Sequence, residues 1–161
     1  MARAFVAFGG NVGDARETIG LAIADFCGGP DIRLLARSSD YRTPPWGVTD
    51  QPPFINACIA VETALAPAGL LDHAQTIERR FGRDRSTERH WGPRTLDIDL
   101  LTYDDVVLND PDLTLPHPRL FKRAFVLVPL LEITPDTIIG GVKVRDALGR
   151  LDTSGIVRLP D

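Results

Sequence analysis

A chain of 161 residues with 43% hydrophobic and 25% charged residues suits one globular domain, which we expect to span 1–161. Its formal net charge of -4 disfavours nucleic-acid and anionic-membrane partners, because proteins that bind them are normally basic. No apolar run reaches transmembrane length. The two distant cysteines, Cys27 and Cys58, give no disulfide framework, so the sequence favours a cytoplasmic protein.

The first part of the chain predicts a strand, a turn, a helix and a second strand. An apolar strand over 4–8 leads into the glycine-rich turn 9–13. This turn matches neither common phosphate-binding motif and is predicted to be an ordinary connection. Asp14 is a candidate N-cap for a helix over 15–26, whose apolar residues recur at helical spacing. A second strand is predicted over 32–39.

A proline-rich loop and the strand after it suggest a binding region. Four prolines restrict the loop 41–53, which carries Trp46, so the loop is either a binding lid or a rigid surface connector. A strand is predicted over 54–63, with Phe54 and Asn56 on one face. A ring beside an amide suits a flat heterocycle, through stacking and hydrogen bonds. The alternative for Asn56 is a hydrogen bond to nearby backbone.

A helix and an arginine-rich loop follow. Pro67 opens a helix that runs through Arg80, on which Gln75 and Glu78 are neighbours on one face. The loop 82–93 is polar and rich in arginine, so it is either a cationic lid over phosphates or a solvated connection. A local basic patch in an acidic protein favours a small anionic ligand over a polymer.

The most informative stretch is the strand predicted over 95–103. Its period of two places four residues on one face, namely Thr95, Asp97, Asp99 and Tyr103. The two aspartates, the acid pair, can share a hard cation or hold two of them. The preceding turn directs Arg94 towards the acid pair, and a guanidinium beside two acids predicts a site for phosphate oxygens and Mg²⁺. The alternative is a solvated strand face whose charges protect a sheet edge.

The last part of the chain predicts smaller elements. A short hairpin is expected after the acidic strand, near 106–108. His117 lies between two prolines and is a candidate hydrogen-bond donor to a phosphate, although a lone histidine is more often structural. An apolar helix over 125–133 is expected to be interrupted near Pro129. The segment from Thr134 onward is expected to be peripheral.

The order of these elements is β-α-β-β-α-β, followed by short C-terminal helices. This order indicates an α+β, ferredoxin-like sandwich with a mostly antiparallel sheet. We expect the helices on one face of the sheet and a ligand on the other. The residues that would line the ligand-binding face are Phe54, Asn56, Asp97 and Asp99.

Several stretches resemble the 6-hydroxymethyl-7,8-dihydropterin pyrophosphokinase family, and together they cover the chain to about Pro135. They are 9–14, 41–47, 50–56, 82–83, 91–101, 116–120 and 123–127. The stretch from Trp91 to Leu101 is highly specific, whereas the glycine turn alone is a weak signal.

The resemblance implies Mg²⁺-dependent transfer of pyrophosphate from ATP to 6-hydroxymethyl-7,8-dihydropterin, with release of AMP, in folate biosynthesis. It implies that Asp97 and Asp99 hold two Mg²⁺ ions and act in catalysis with Arg83 and Arg94. It implies an ATP site formed by Leu71, Gln75, Glu78, Arg83, Trp91, Arg94, Leu100, Thr114, His117 and Arg123. It implies a pterin site formed by Thr43, Pro44, Trp46, Phe54, Asn56, Asp97 and Phe125. We expect a monomer that has no nucleic-acid or membrane partner.

The sequence departs from the family pattern at several positions. Gly10 stands where serine is frequent, and Asp104 stands where glycine is common after the central strand. Asp112 stands where some members carry a basic residue, which leaves open the adenine contacts there. His90 is an apparent extra residue before Trp91 and leaves open the register of the arginine-rich loop.

Two other functions are compatible with parts of the pattern. A nucleotidyltransferase also uses Mg²⁺, but its acid pair follows closely on an early glycine-serine, whereas here the acid pair lies far downstream of Gly9-Gly10. A non-catalytic binding module on a ferredoxin-like fold has no need for the acid pair together with His117, Arg94 and Arg123. The nucleotide product separates the three functions.

Overall fold

An antiparallel sheet with helices against both of its faces forms the fold. The structure is a computed structural model and describes residues 1–45, 47–84, 86 and 92–161. The strands are β1 (Ala2–Gly10), β2 (Ile32–Arg37), β3 (Tyr41–Thr43), β4 (Phe54–Thr63), β5 (Asp97–Tyr103), β6 (Leu108–Asn109), β7 (Thr114–Leu115), β8 (Ile138–Ile139), β9 (Val142–Lys143) and β10 (Val157–Arg158). The helices are α1 (Ala15–Phe26), α2 (Pro67–Arg80), α3 (Ala124–Ile133) and α4 (Val144–Leu148).

The main sheet has the order β10-β3-β4-β1-β5, and β2 also pairs with β4. Each pairing within it is antiparallel. With β2 and β3 taken together as one edge strand, this is the strand order of a ferredoxin-like sandwich. The α+β prediction is therefore confirmed. The two small hairpins, β6-β7 and β8-β9, lie outside this sheet.

One face of the sheet carries α1 and α2, whose ends agree with the sequence prediction. The predicted N-cap is confirmed, because the Asp14 carboxylate accepts a hydrogen bond from the Glu17 backbone N–H at 3.1 Å. Helical spacing of apolar residues buries one side of each helix against the sheet, and the helices meet where the rings of Phe26 and His73 lie 5.0 Å apart. No helix in the described ranges has the length and apolar character to cross a bilayer.

The other face of the sheet is partly covered, contrary to the expectation that it would be free. Helix α3 packs on it and forms a second core with Cys58, Leu101 and Leu127 among its members. The helix also runs through Pro129 without interruption. A proline there lacks the N–H that would bond to the carbonyl four residues earlier, in the first turn, and Pro129 itself is buried.

The edge of the sheet holds two elements that the sequence did not predict. The proline-rich loop begins with β3, which pairs with the start of β4, so β2 and β3 form one edge strand interrupted at 38–40. The segment from Thr134 is not peripheral, because its β10 adds a strand outside β3. The predicted hairpin also forms later than expected, between β6 and β7.

A bulge in β5 changes which side chains share a face. Across from β5, Phe5 pairs with Thr102 and Val6 with Leu100, so Leu101 is the extra residue. Tyr103 consequently packs with the α1-α2 core and donates a hydrogen bond to the Leu65 carbonyl at 2.6 Å, instead of sharing the face of the acid pair. The prediction for Tyr103 was therefore wrong, while the acid pair lies before the bulge and keeps its alternation.

Candidate active site

Two neighbouring cavities open where β1 ends and where β4 and β5 begin. The aromatic cavity has a volume of about 130 Å³, and its lining includes Thr43, Pro44, Phe54, Asn56, Arg83, Arg94, Asp97, Asp99, Arg123 and Phe125. The α2 cavity has a volume of about 310 Å³, and its lining includes Leu71, Gln75, Glu78, Asp99, Leu100, Asp112, Thr114 and His117. Asp99 lines both cavities, so the two join at the acid pair.

The floor of the aromatic cavity is built around the buried amide of Asn56. Its Nδ2 donates a hydrogen bond to Thr43 Oγ1 at 2.7 Å, which ties β4 to β3. This contact is to a side chain and not to the backbone that the sequence left as an alternative. Opposite Asn56 lies Gly9, where a Cβ atom would stand 2.6 Å from Asn56 Oδ1. The glycine of β1 therefore gives the amide its space.

The glycine-rich turn was predicted to be an ordinary connection, and this prediction was wrong for its first two residues. Gly9 and Gly10 are the last residues of β1 and pair with β4. A Cβ atom at Gly10 would lie 2.6 Å from the Thr95 carbonyl oxygen. The pair of glycines thus lets the chain approach both sides of the cleft closely.

The acid pair lies as predicted on the cavity side of β5. The side chains of Asp97 and Asp99 are 38% and 30% exposed, so both carboxylates are accessible from the cleft. Both line the aromatic cavity. Among the described residues, no group of three or more histidine, cysteine, aspartate or glutamate side chains could hold a metal ion. The acid pair is therefore an open, two-carboxylate donor set and not a closed cage.

A buried carboxylate positions the guanidinium of Arg83 beside the acid pair. Glu78 is 2% exposed, and its Oε2 accepts from Arg83 Nη1 at 2.6 Å and from the Ile98 backbone N–H at 2.9 Å. The same Arg83 nitrogen donates to Asp97 Oδ1 at 2.8 Å. Because both partners are charged in the two bonds from Arg83, those bonds are strong. Helix α2 and strand β5 therefore hold Arg83 from two directions.

Asp99 faces a second guanidinium and an imidazole. Its Oδ2 lies 3.4 Å from Arg123 Nη1, and its Oδ1 lies 3.9 Å from His117 Nε2. The surrounding protein excludes most water from Asp99, and this desolvation, followed by the negative charge of Asp97, raises the pKa of Asp99 to about 7, while Arg123 acts in the opposite direction. The central carboxylate is thus costly to ionise until cations approach it.

His117 is a neutral hydrogen-bond donor in this arrangement. Burial, followed by the positive charge of Arg123, lowers the pKa of His117 to about 4. The backbone N–H of Arg119 donates to His117 Nδ1 at 3.1 Å, so the neutral ring carries its proton on Nε2, the nitrogen that faces Asp99. The prolines on either side direct this N–H into the cleft.

The structure also assigns a positioning role to Asn11, which the sequence analysis did not single out. Asn11 is buried at the end of β1, and its Oδ1 accepts from the Arg94 backbone N–H at 2.9 Å. Its Nδ2 donates to Gln51 Oε1 and to the Pro52 carbonyl, both at 2.9 Å. One amide therefore joins the segment before the acid pair to the proline-rich loop. In the sequence, an asparagine after two glycines indicates only a turn, so the pattern gave no signal for this role.

Arg94 directs its guanidinium partly to its own turn, since Nη1 donates to the Gly92 carbonyl at 2.9 Å and to the Pro93 carbonyl at 3.2 Å. Its side chain still lines the aromatic cavity. Predictions for Trp46, Trp91 and the central part of the arginine-rich loop concern residues outside the described ranges. The residues of that part are Arg85, Thr87, Glu88, Arg89 and His90.

Comparison with known proteins identifies relatives of the chain. A family model described as 7,8-dihydro-6-hydroxymethylpterin-pyrophosphokinase (HPPK) matches residues 5–135. The chain belongs to this family. HPPK membership makes the chain a pyrophosphokinase of folate synthesis, and it confirms the resemblance found in the sequence.

Two relatives match this chain along nearly its whole length. The 2-amino-4-hydroxy-6-hydroxymethyldihydropteridine pyrophosphokinase of Methylorubrum extorquens is 51% identical over 159 residues, which are 99% of this chain and 99% of that protein. The protein of the same name in Pseudomonas aeruginosa is 42% identical over 159 residues, which are 98% of this chain and 97% of that protein.

Solved structures containing HPPK share the fold at low sequence identity. A crystal structure of HPPK-DHPS in complex with substrates gives a TM-score of 0.74 at 13% identity over 92% of this chain. The Plasmodium falciparum HPPK-DHPS structure with SDX-DHP gives a TM-score of 0.64 at 14% identity over 93% of this chain. This chain spans only 43% of each of those longer chains, and the likeness shows the fold alone.

Proposed function

We propose that this HPPK member transfers pyrophosphate from ATP to the hydroxymethyl group of 6-hydroxymethyl-7,8-dihydropterin, depends on Mg²⁺, and releases AMP and the pterin diphosphate. The observation that carries the proposal is the division of the predicted site residues between two cavities. The described residues expected to bind pterin all line the aromatic cavity. The residues expected to bind ATP divide between the cavities. The α2 cavity is lined by Leu71, Gln75, Glu78, Leu100, Thr114 and His117, whereas Arg83, Arg94 and Arg123 line the aromatic cavity beside the acid pair, where the two cavities meet.

The aromatic cavity suits a flat, polar bicycle. Phe54 and Phe125 supply ring surfaces, and Asn56 supplies an amide oxygen whose position is set by the bond from its nitrogen to Thr43. Pro44 closes one wall with a rigid apolar ring. A few placed polar groups among apolar surfaces are typical of a small-molecule site.

The α2 cavity suits the nucleoside end of ATP. Leu71 and Leu100 supply apolar surface, and Gln75 with Thr114 supplies hydrogen-bonding groups. His117 directs a neutral N–H towards the junction with the aromatic cavity. We therefore assign the adenine and ribose to this side and the phosphates to the junction.

The junction is rich in cationic groups that the protein positions in advance. Arg83, with a 6% exposed side chain, is held by Glu78 and Asp97, and Arg123 is held by Asp99. Transfer of a phosphoryl-type group depends mainly on positioning and electrostatics, and groups that are already oriented stabilise developing charge without reorganising. We assign Arg83, Arg94 and Arg123 to the oxygens of the triphosphate, and Trp91 to the same side.

The donor chemistry of the acid pair fits Mg²⁺. This ion is commonly bound by one or two carboxylates, with substrate phosphates and water completing an octahedron. We propose that Asp97 and Asp99 hold two Mg²⁺ ions together with the triphosphate. When bound, the ions would polarise phosphate oxygens and offset part of the negative charge of ATP. The raised pKa of Asp99 fits this role, because a bound cation favours its ionised form.

The test is product analysis with ATP, Mg²⁺ and 6-hydroxymethyl-7,8-dihydropterin, followed by nucleotide chromatography. We expect AMP in equal amount to the pterin diphosphate, and no product after addition of EDTA. ADP or a nucleotidylated pterin would refute the proposed transfer. Pterin binding without any turnover would favour a non-catalytic module.

A carboxylate substitution tests the metal assignment. Asp97→Asn is expected to lower turnover on the order of a hundredfold or more. The substitution keeps the shape of the partly exposed side chain but removes the charge that would bind the cation. The matched control is Asp105→Asn, at an exposed aspartate after β5. Unchanged turnover in Asp97→Asn, with an unchanged thermal melt, would contradict the metal role.

The expected single domain over 1–161 and the monomeric state stay predictions. Limited proteolysis can check the first and light scattering the second.

A further inference from the structure

The segment 152–161, called here the β10 segment, lies outside the residues that match the family model but touches the proposed pterin site from behind. Its strand pairs with β3, with Val157 opposite Arg42 and Arg158 opposite Tyr41. The Leu159 backbone N–H also donates to the Asp40 carbonyl at 2.9 Å. Strand β3 is therefore held between β4 and β10 and is not an open edge.

A glycine of the β10 segment packs directly against the wall of the aromatic cavity. A Cβ atom built on Gly155 would stand 2.8 Å from Pro44 Cγ and 3.6 Å from Pro44 Cδ. A proline ring is rigid, so it cannot move aside as the end of a flexible side chain would. Gly155 also has φ +80°, a conformation that other residues rarely adopt. Only glycine fits against Pro44 here.

Hydrogen bonds and one ion pair link the same segment to the elements that carry the site. Glu132 of α3 accepts from the Tyr41 hydroxyl at 2.5 Å and from the Ser39 backbone N–H at 2.8 Å. Arg158 donates through Nε to Ser39 Oγ at 2.9 Å and lies 3.8 Å from Glu132. The β10 segment thus joins β3 to the helix whose first turn carries Phe125.

We propose that the β10 segment is a positioning element of the pterin site, and that Gly155 is the residue that sets the place of Pro44. This inference rests on the proposed function and adds a determinant of pterin affinity outside the cavity lining. Pro44 follows Thr43, whose hydroxyl accepts from Asn56, so a displaced Pro44 alters two groups that face the ring. The α2 cavity, assigned to the adenine and ribose, contains none of these residues, so we expect little effect on the affinity for ATP.

The test compares substitutions of two glycines that have nearly the same positive φ. Gly155→Ala adds a methyl group against Pro44, whereas Gly141→Ala, at φ +79°, adds one where no atom lies within 4 Å. We expect Gly155→Ala to raise the KM for pterin roughly tenfold, with little change in kcat or in the KM for ATP. We expect Gly141→Ala to leave all three near their original values. A merely structural defect would lower kcat through loss of active protein and leave the KM for pterin unchanged.

A double substitution identifies the contact responsible. Pro44→Ala removes both ring atoms that face Gly155, so in that background Gly155→Ala should raise the KM for pterin no further than Gly141→Ala does.

The inference is overturned if the parent protein turns over and Gly155→Ala affects the KM for pterin no more than Gly141→Ala. It is also overturned if the Gly155→Ala effect persists in full without the proline ring. Pterin affinity is measured in parallel by fluorescence titration. A parent protein that neither turns over nor binds pterin overturns the proposed function and this inference together, whereas a defect confined to the variant comparison overturns the inference alone.

Discussion

Removal of the Asn11 amide is expected to loosen both sides of the cleft at once. The side chain makes hydrogen bonds to the Arg94 backbone N–H, to Gln51 Oε1 and to the Pro52 carbonyl, each at 2.9 Å. Asn11→Ala leaves these partners without the amide while the backbone bond from the Asn11 N–H to the Arg94 carbonyl remains. The substitution therefore tests the side chain and not the strand end.

The magnitude follows from those contacts. A hydrogen bond of this kind contributes about 1 kcal/mol net, so loss of all of them lowers the free energy of unfolding by about 3 kcal/mol. In a domain of this size, each kcal/mol shifts the melting temperature by about 2–4 °C, which predicts a decrease of about 6–12 °C. Because the turn carrying Arg94 and the proline-rich loop are both released, the KM values for ATP and pterin should both rise.

The assays are urea unfolding followed by circular dichroism and steady-state kinetics with each substrate varied. The matched control is Asn109→Ala, at an exposed asparagine of β6. Asn11→Asp adds a further check, because it keeps the acceptor for Arg94 and turns the donor towards Gln51 and Pro52 into an acceptor. A change in unfolding free energy below about 0.5 kcal/mol for Asn11→Ala, typical of an ordinary surface position, would refute the reasoning.

Two further predictions concern the acid pair and the aromatic wall. The raised pKa of Asp99 means that the folded state binds more protons than the unfolded chain between the ordinary carboxyl value and about pH 7, so stability falls as pH rises through that window. In urea titrations without divalent cations, the stability of Asp99→Asn relative to the parent should therefore rise from about pH 4 to about pH 8, and parallel pH profiles would contradict this. In assays with Mg²⁺, the same variant should lose turnover. Phe54→Ala should raise the KM for pterin about tenfold and leave that for ATP unchanged, since Phe54 lines only the aromatic cavity of the two. An equal rise in both KM values would contradict the assignment of that cavity to pterin.

The sequence determined the elements whose signals are local. The predicted limits of α1, α2 and β4 agree with the structure, because an N-cap, an N-terminal proline and a regular apolar period act within a few residues. The same local alternation put Asp97 and Asp99 on one face of β5. The family-specific stretches then assigned further described residues to a pterin group and an ATP group. The pterin group lines the aromatic cavity, whereas the ATP group divides, with Arg83, Arg94 and Arg123 in the aromatic cavity and the others in the α2 cavity.

Tertiary structure alone decided the features that join distant parts of the chain. Strands β3 and β10 are so short that neither has a clear pattern, and each forms because a partner strand offers backbone hydrogen bonds. The cover of the second sheet face by α3, the bulge that redirects Tyr103 and the position of Asn11 between two loops depend likewise on contacts across the fold. Such contacts are absent from any short window of sequence, since their energy appears only when the folded chain brings both partners together.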